Sequence, residues 1–390
     1  MNIIQGNITL EEFFMKRLIV FLLLMLTFIG VGGKIYAQGE SAVPFLLLAP
    51  DSRAGGMGET GAGLADNSSA IFWNPAGLAF QSGSEVSITH SNWLPQFHLD
   101  IFYDFLTYKM YVPEIEGTVS TSVTFMNFGE FVRTDAAGNT VGTFKSFDAA
   151  LTLGYATKLG EDWGLGMNFR LIHSRLSTQG TASESGEGTA TSVSFDIGAM
   201  WRPKDFLDNR LSIGLNISNI GPDIYYIDEA QADPIPTNFR LGFAGRIFEN
   251  EYNSFTMTAD FSRLLIHRPS DSTGTRDDWY QALFTSWGNE NLFREFVSTI
   301  GLEYWYGVPE DFMFSVRAGF FYEDPAYGNR KFLTAGAGLR YDMYGFDFSY
   351  LTTSVFDEGE NHPLNNTLRF TLLIGWGAEA QKTPGLPRGI

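Results

Sequence analysis

Segment after segment of this chain alternates large apolar residues with small or polar ones at a period of two. A typical stretch alternates Phe195, Ile197, Ala199 and Trp201 with Ser194, Asp196 and Gly198. Successive side chains of a β-strand point to opposite faces, so this spacing predicts strands. One face gathers aromatics and the other gathers glycine and charge, which favours a transmembrane barrel with a lipid-facing apolar surface over a soluble sandwich.

We predict about fourteen strands, at 84–92, 99–111, 117–129, 146–159, 163–176, 190–202, 210–219, 238–248, 252–264, 297–307, 311–322, 331–341, 344–355 and 365–376. Their connections alternate in length, being short at 112–116, 160–162, 249–251, 308–310 and 342–343, and long at 130–145, 177–189, 220–237 and 265–296. Outer-membrane barrels have short periplasmic turns and long external loops, and an even strand number returns both termini to the periplasm. The predicted fold class is all-β, a single transmembrane β-barrel of antiparallel strands.

Charged residues on the strands indicate what fills this barrel. A cationic side chain at the lipid midplane costs about 2–4 kcal/mol, so the strand arginines are expected to face the lumen. We predict that Arg170, Arg240, Arg317, Arg340 and Arg369 pair there with Asp196, Asp260, Asp342 and Asp347. Together with the many inward glycines, this favours a filled lumen over a wide pore.

The ends of the chain have separate predicted roles. Lys16 and Arg17 precede an apolar run that ends before Lys34, and small residues follow up to Ala37. This run is short for a spanning helix, so residues 1–37 are predicted to be a signal peptide. Residues 38–82, rich in Gly, Ala and Asn, are predicted to form a hatch inside the barrel. The barrel itself is assigned to 83–377 and a periplasmic tail to 378–390.

Composition excludes several function classes. The formal net charge of -18 argues against binding to nucleic-acid phosphates. With no cysteine and five scattered histidines, no metal site is predicted, although calcium held by acidic loops stays open. Residues 56–61, GMGETG, match the dinucleotide fingerprint but precede alternating strands instead of a βαβ unit, so we interpret these glycines as tight turns. We predict no cofactor, no catalytic residue and no enzyme activity.

The longest predicted loop, 265–296, is rich in aromatic residues. Exposed aromatics in such a loop usually contact a partner, although the loop could instead fold onto the barrel mouth. We therefore predict partner contacts at Trp279, Tyr280, Phe284, Trp287 and Phe293.

The segment from Ser41 to Ala79, SAVPFLLLAPDSRAGGMGETGAGLADNSSAIFWNPAGLA, closely resembles the N-terminal signature of the PorV family, outer-membrane proteins of the type IX secretion system of Bacteroidetes-type bacteria. Its core, Asn74-Pro75-Ala76-Gly77, is shared with FadL-like transporters. The resemblance is dense over 41–80 and diffuse along the barrel. It implies a fourteen-stranded barrel with an N-terminal hatch, which Asn74, Pro75 and Gly77 shape.

The resemblance also implies a non-enzymatic function. Family members bind the SprA-type translocon barrel and the C-terminal β-domains of secreted cargo, and carry that cargo to the attachment complex with its PorU-type sortase. The expected location is the outer membrane, in contact with its lipid. The alternative is a FadL-like channel for hydrophobic small molecules, which would need an apolar ligand pocket and a lateral opening in the wall.

Overall fold

The computed structural model describes residues 41–135, 137–177, 188–204, 209–227, 231–266, 277–288, 292–308, 311–356 and 362–377. The predicted signal peptide, the tail 378–390 and most of the predicted loop 177–189 lie outside these residues. The described residues form fourteen strands: β1 Ser84–Asn92, β2 Phe102–Val112, β3 Gly117–Thr134, β4 Thr140–Leu159, β5 Trp163–Arg175, β6 Thr189–Trp201, β7 Leu211–Ile220, β8 Asn238–Glu249, β9 Asn253–Leu264, β10 Val297–Gly307, β11 Phe312–Tyr322, β12 Lys331–Tyr341, β13 Tyr344–Thr352 and β14 Thr367–Trp376.

Helices in the described residues are short. The α-helices are α1 Ser52–Gly55, α2 Ala70–Trp73 and α3 Trp279–Thr285, and the 3₁₀ helices are Pro44–Leu47, Pro75–Phe80, Pro95–Phe97, Pro113–Ile115, Ser286–Gly288 and Leu292–Glu295. Among the described helices, none has the length and hydropathy needed to cross a bilayer.

The strands form one closed antiparallel barrel. Each strand pairs with its neighbours in the chain, and β1 pairs with β14 from Ser84↔Trp376 to Asn92↔Leu368, which closes the sheet. Closure satisfies the backbone of the wall without leaving a sheet edge in lipid. The predicted fold class and strand number are confirmed. Because Ser84 opposes Trp376, the chain enters and leaves the wall at the same rim, which also carries the short turns.

The predicted long loop 130–145 is wrong. β3 continues to Thr134 and β4 begins at Thr140, so the two strands form a hairpin with a turn at 135–139. A β-bulge between Asn127 and Gly129, where Gly129 has φ +86°, interrupts the alternation at this point. Residues beyond the bulge no longer face lipid, so the period-two signal is lost there. We call residues 128–146 the tip hairpin.

Alternation along the strands separates the two faces of the wall. On β5, Gly164, Asn168 and Arg170 are buried, whereas Leu165, Met167, Phe169 and Leu171 are exposed. The barrel therefore has an apolar outer surface and a polar, glycine-rich inner surface, as the sequence pattern predicted.

Two bands of outward-facing aromatic residues border the apolar surface. The upper girdle, toward the long loops, includes the contacts His90–Phe102, Phe102–Phe125, Phe125–Phe147 and Phe147–His173. The lower girdle, near the short turns, includes Tyr108–Trp376, Trp163–Trp201, Phe248–Phe255 and Phe312–Tyr341. Ten residues of β5, tilted as strands in such barrels are, span about 25 Å between the girdles, which matches the lipid-facing band of outer-membrane barrels.

Residues 41–82, which we call the inner segment, lie inside this wall. The inner segment contacts inward-facing residues on opposite sides of the barrel. Ser68 hydrogen-bonds Ser87 and Thr107 on β1 and β2, and the backbone N–H of Ser52 donates to Thr371 on β14. On the far side, a side chain added at Gly58 would meet Ile300 on β10.

Candidate functional site

Local sequence explains how the inner segment folds into short turns. Asp51 accepts a hydrogen bond from the backbone N–H of Ala54 and thereby caps α1, and it also accepts one from the indole N–H of Trp73 at 2.6 Å. These two bonds join α1 to the end of α2. Asp51 therefore satisfies polar groups at two turns of the segment.

Asn74, Pro75 and Gly77, the three residues predicted to shape the hatch, lie together at the second turn. The Asn74 side chain accepts from the N–H of Ala76 at 3.1 Å and donates to the carbonyl of Ala199 on β6 at 3.1 Å. Pro75 begins the 3₁₀ helix, where its missing N–H costs nothing. A Cβ on Gly77 would lie 2.1 Å from the carbonyl oxygen of Ala65, so the packing requires glycine. All three residues pack and position the segment.

A buried charge network, which we call the Arg53 cluster, holds the inner segment against β10–β13. Arg53 donates to both carboxylate oxygens of Glu303, at 2.7 and 2.6 Å, and pairs with Asp66 at 2.5 Å. Glu303 also accepts from Arg317 at 2.8 Å. The remaining members continue the chain of contacts through Arg317–Asp347 at 2.8 Å and Asp347–Arg340 at 2.6 Å. Three cations thus balance three anions.

Further links fix the segment to other strands. Asp260 on β9 accepts the backbone N–H groups of Gly61 and Ala62, each at 2.9 Å, and pairs with Arg240 at 3.6 Å. On β5, Asn168 donates to the carbonyl of Ile71 at 2.7 Å. The wall therefore holds the inner segment through charge-assisted and backbone bonds on several sides.

The sequence predicted most, but not all, of these charge pairs. Arg170–Asp196, Arg240–Asp260, Arg317–Asp347 and Arg340–Asp347 form inside the barrel as predicted. Asp342 was wrongly assigned to the lumen, because it lies in the turn between β12 and β13, exposed and with φ +51°. Arg369 pairs instead with Glu59 of the inner segment, at 2.8 Å.

Arg53 and Glu303 were missed as functional residues. Glu303 occupies an inward position on β10. Because consecutive strand residues face opposite sides, the outward position of Leu302 could have placed Glu303 in the lumen. Arg53 lies outside any strand, so no periodic signal existed. A lone arginine in a glycine-rich stretch predicted to be enclosed was the available clue.

A small cavity lies between the described residues of the inner segment and the wall. A cavity bordered by Ile71, Tyr103 and Arg170 has a free volume of about 10 Å³, enough for one water molecule. At the GMGETG stretch, a Cβ on Gly58 would come within 2.7 Å of the Ile300 carbonyl oxygen. Gly56 and Gly58 therefore pack against the wall strands, and Gly61 packs against the ring of Trp73. Among the described residues, no three His, Asp or Glu side chains are grouped to hold a metal ion.

The described residues 277–288 and 292–296, which we call the rim segment, partly cover the outer wall. Arg263 on β9 opposes outward-facing Phe239 in register, yet it is only 1% exposed. Its guanidinium donates to the carbonyl of Ser286, pairs with Glu295, and lies over the ring of Trp287 at 5.1 Å. The rim segment thus supplies an outward-facing arginine with partners that lipid could not offer.

The five predicted partner-contact residues divide by exposure. Trp287 packs edge-on against Phe239 at 5.0 Å, and half-buried Trp279 borders a small cavity with loop residues 234–237. Tyr280 is exposed, and Phe284 and Phe293 are 79% and 88% exposed. The two tryptophans therefore hold the rim segment in place, while Tyr280, Phe284 and Phe293 form its free surface.

An ion pair fixes the other end of the rim segment. Arg294 donates to both carboxylate oxygens of Asp324, in the β11–β12 loop, at 3.1 and 2.8 Å. Burial acts to raise the pKa of Asp324, but hydrogen bonds from Arg294 and from the backbone outweigh it, so the pKa lies below its ordinary value of 3.8. The pair stays charged at neutral pH.

Comparisons with known proteins give distant structural likenesses and one family match. The chain is similar to the Pseudomonas putida toluene transporter TodX (11% identity, 87% of this chain and 98% of that chain, TM-score 0.46), the Ralstonia pickettii toluene transporter TbuX (11%, 84% and 98%, 0.45) and a Pseudomonas aeruginosa FadL homologue (12%, 84% and 97%, 0.47). Likenesses this distant carry no argument about function. No curated protein matches the chain. A family model described as "Type IX secretion system protein PorV" matches residues 37–271, more than half of the chain, and the protein therefore belongs to the PorV family.

Proposed function

We propose that this protein is a non-enzymatic outer-membrane component of the type IX secretion system that binds the translocon barrel and carries exported cargo to the attachment complex with its sortase. Membership of the PorV family supports the system. The observation that favours a carrier over a channel is the filled lumen, in which the Arg53 cluster ties the inner segment to the wall. In this proposal the inner segment acts as a permanent hatch.

A channel for hydrophobic small molecules receives less support. Such a channel needs an apolar pocket and an opening in the wall. The pairing of β6 with β7 does shift between Phe195 and Ile197, which is where an opening could form. Inside this shift, however, Asp196 pairs with Arg170 at 2.7 Å and accepts the N–H of Asn219 at 2.8 Å. Buried charge fills the place that an apolar ligand would need.

We further propose that the short-turn rim faces the periplasm, together with both termini, and that the long loops face outward. The apolar surface between the girdles then contacts outer-membrane lipid. Loop lengths support this orientation. Apart from the turn 135–139, the connections at the rim opposite Ser84 and Trp376 have eight or more residues, whereas all but 202–210 at the other rim have four or fewer.

Contacts with the translocon and with cargo are proposed for the rim segment. Its free surface presents Tyr280, Phe284 and Phe293, and the packing of Trp287 against Arg263 and the Arg294–Asp324 pair hold this surface in a fixed position. Rigid exposed aromatics bind at a low cost in conformational entropy, which is why they recur in interface centres.

Gentle detergent extraction of the tagged protein from its native membrane, followed by mass spectrometry, tests the proposal. We expect a very large barrel protein and exported proteins with a common C-terminal β-domain to co-purify. A clean monomer carrying bound lipid or fatty acid would instead favour the channel.

Variants then locate the contact. The double variant F284S/F293S should reduce recovery of the translocon, and Trp279→Ala with Trp287→Ala should do so by releasing the rim segment. The matched control is Phe97→Ser, an exposed aromatic in the β1–β2 loop at the same rim. Equal recovery with all variants would remove the rim segment from the proposed contact.

A further inference from the structure

The tip hairpin stands clear of the rest of the barrel. β3 pairs with β2 up to Asn127, and β4 pairs with β5 from Phe147. Beyond these points the described residues of β3 and β4 pair only with each other, from Gly129↔Ser146 to Thr134↔Thr140. A Cβ added at Gly142 would meet no described atom within 4 Å, so one face of β4 is open at this position.

Its height places the tip hairpin above the lipid. Phe125 and Phe147 belong to the upper girdle, and Thr134 lies nine residues further along β3. With the usual strand rise and tilt, the tip is about 20 Å above the girdle. Apolar side chains at this height face water, yet Val132 and Val141 are 62% and 55% exposed, and exposed Phe131 stacks on Phe144 at 5.7 Å.

The β4 edge of the tip hairpin lacks the usual protection against strand pairing. Exposed edges normally carry charges or proline, which discourage a second chain from adding to the sheet. The β3 strand has Glu130 and Arg133, but residues 140–144 of β4, Thr-Val-Gly-Thr-Phe, have neither charge nor proline. Four of these five residues, Thr140, Val141, Thr143 and Phe144, belong to the types that favour strands.

Hydrogen bonds to Asp135 brace the described residues of the turn in the tip hairpin. Asp135 accepts hydrogen bonds from the backbone N–H groups of Ala137 and Asn139, at 2.9 and 2.8 Å, and from the Asn139 side chain at 3.0 Å. The Asn139 side chain, followed by the backbone groups, lowers the pKa of Asp135, so these bonds persist at neutral pH. A fixed turn keeps the β4 edge extended before any partner arrives.

We propose that residues 140–145 of β4 are a docking edge, to which an extended strand from the β-domain of an exported protein adds through main-chain hydrogen bonds. Unpaired backbone groups along an edge whose one charge, Lys145, lies at its base favour a strand as the occupant, and alternate side chains of that strand would lie beside Val141 and Thr143. This inference rests on the proposed secretion function and specifies how the cargo is held.

The test uses the full-length protein in lipid nanodiscs and, as probe, a recombinant C-terminal β-domain from a protein that co-purifies with it. Binding is measured by biolayer interferometry, and amide hydrogen exchange is followed by mass spectrometry. We expect the probe to slow exchange of the backbone amides of residues 140–145 at least tenfold. The variant V141K/T143K, which adds the protective charges that this edge lacks, should weaken binding at least tenfold.

The matched control is Val132→Lys, on the other strand of the same hairpin opposite Thr143. It should bind within about twofold of the unchanged protein, since an added strand lies two strand spacings, about 10 Å, away. Heat-dependent gel mobility verifies that each variant has a folded barrel.

Each other outcome has a defined meaning. Binding without protection of residues 140–145, or equal loss in Val132→Lys, overturns the docking edge but leaves the secretion function intact. No binding of the probe to the unchanged protein counts against the proposed function itself. Protection of the same amides without probe, together with a doubled particle mass, would assign the edge to a second copy of this chain and also overturn the inference.

Discussion

Removing the carboxylate of Glu303 should strongly destabilise the barrel. Glu303→Gln keeps the side-chain shape but leaves the Arg53 cluster with three cations and two anions, in a site where Glu303 is fully buried. Arg53 loses its two-oxygen partner, and Arg317 loses one of its two partners. Breaking one partner out of a buried ion network costs about 3–5 kcal/mol, because the remaining charge stays desolvated. We expect the free energy of unfolding to fall by this amount.

Urea titration in lipid vesicles, with the folded fraction measured by heat-dependent gel mobility, gives the change. The matched control is Glu161→Gln, which removes the same charge from an exposed pair with Lys204 and should leave the free energy of unfolding almost unchanged. Adding Arg53→Met to Glu303→Gln should cost less than the sum of the single changes, since the two side chains share one interaction. A Glu303→Gln protein within about 1 kcal/mol of the unchanged one would refute a role for the cluster in holding the inner segment.

Three further predictions concern separate parts of the molecule. Gly319→Ala places a Cβ 1.9 Å from the backbone of the inner segment and should destabilise the barrel by about 3 kcal/mol or more, as severe overpacking does. A Cβ at Gly245 meets nothing within 4 Å, so the control Gly245→Ala should cost under about 1 kcal/mol. Urea titration measures both variants. Arg263→Met and Glu295→Gln should both increase protease cleavage of the rim segment. The first removes the guanidinium that bonds Ser286 and packs on Trp287, and the second takes the carboxylate partner from a buried arginine. Because the pKa of Asp324 is lowered, its ion pair contributes its full stability above about pH 4, and this contribution is lost as the pH falls through the folded pKa, which lies below 3.8. Protease cleavage of the rim segment should therefore be equal at pH 7 and 5 and rise only below about pH 4. The variant Asp324→Asn should remove this pH dependence.

The number of strands and the face on which each side chain lies were predictable because lipid requires an apolar side chain at every outward position. The tip hairpin was not, since β3 and β4 leave the lipid after Phe125 and Phe147 and the rule no longer applies to residues 128–146. The outward position of Arg263 was also unpredictable. Its partners, Ser286 and Glu295, come from a connection whose path along the outer wall has no periodic signature.

Inside the barrel, sequence reasoning found the charges that sit on strands but not their arrangement. The period-two pattern correctly placed Arg317 and Asp347 in the lumen. The prediction for Asp342 was wrong because this residue, although next to the end of a strand, lies in the turn that follows it. Arg53 and Glu59 belong to the inner segment, which follows no period, so their pairing with wall residues required the folded geometry.

The seam between β1 and β14 has a consequence for the order of assembly. The inner segment precedes β1 in the chain, yet it is bonded to residues on the last strand as well as the first, through Ser52 with Thr371 and Ser68 with Ser87. These contacts can be completed only when the final strand arrives. We therefore expect closure of the seam and seating of the segment to be one late, concerted event, in which the growing sheet curls around its own N-terminal residues. A chain that closed first would leave those residues outside the lumen, so we expect the segment to lie in place before the sheet closes.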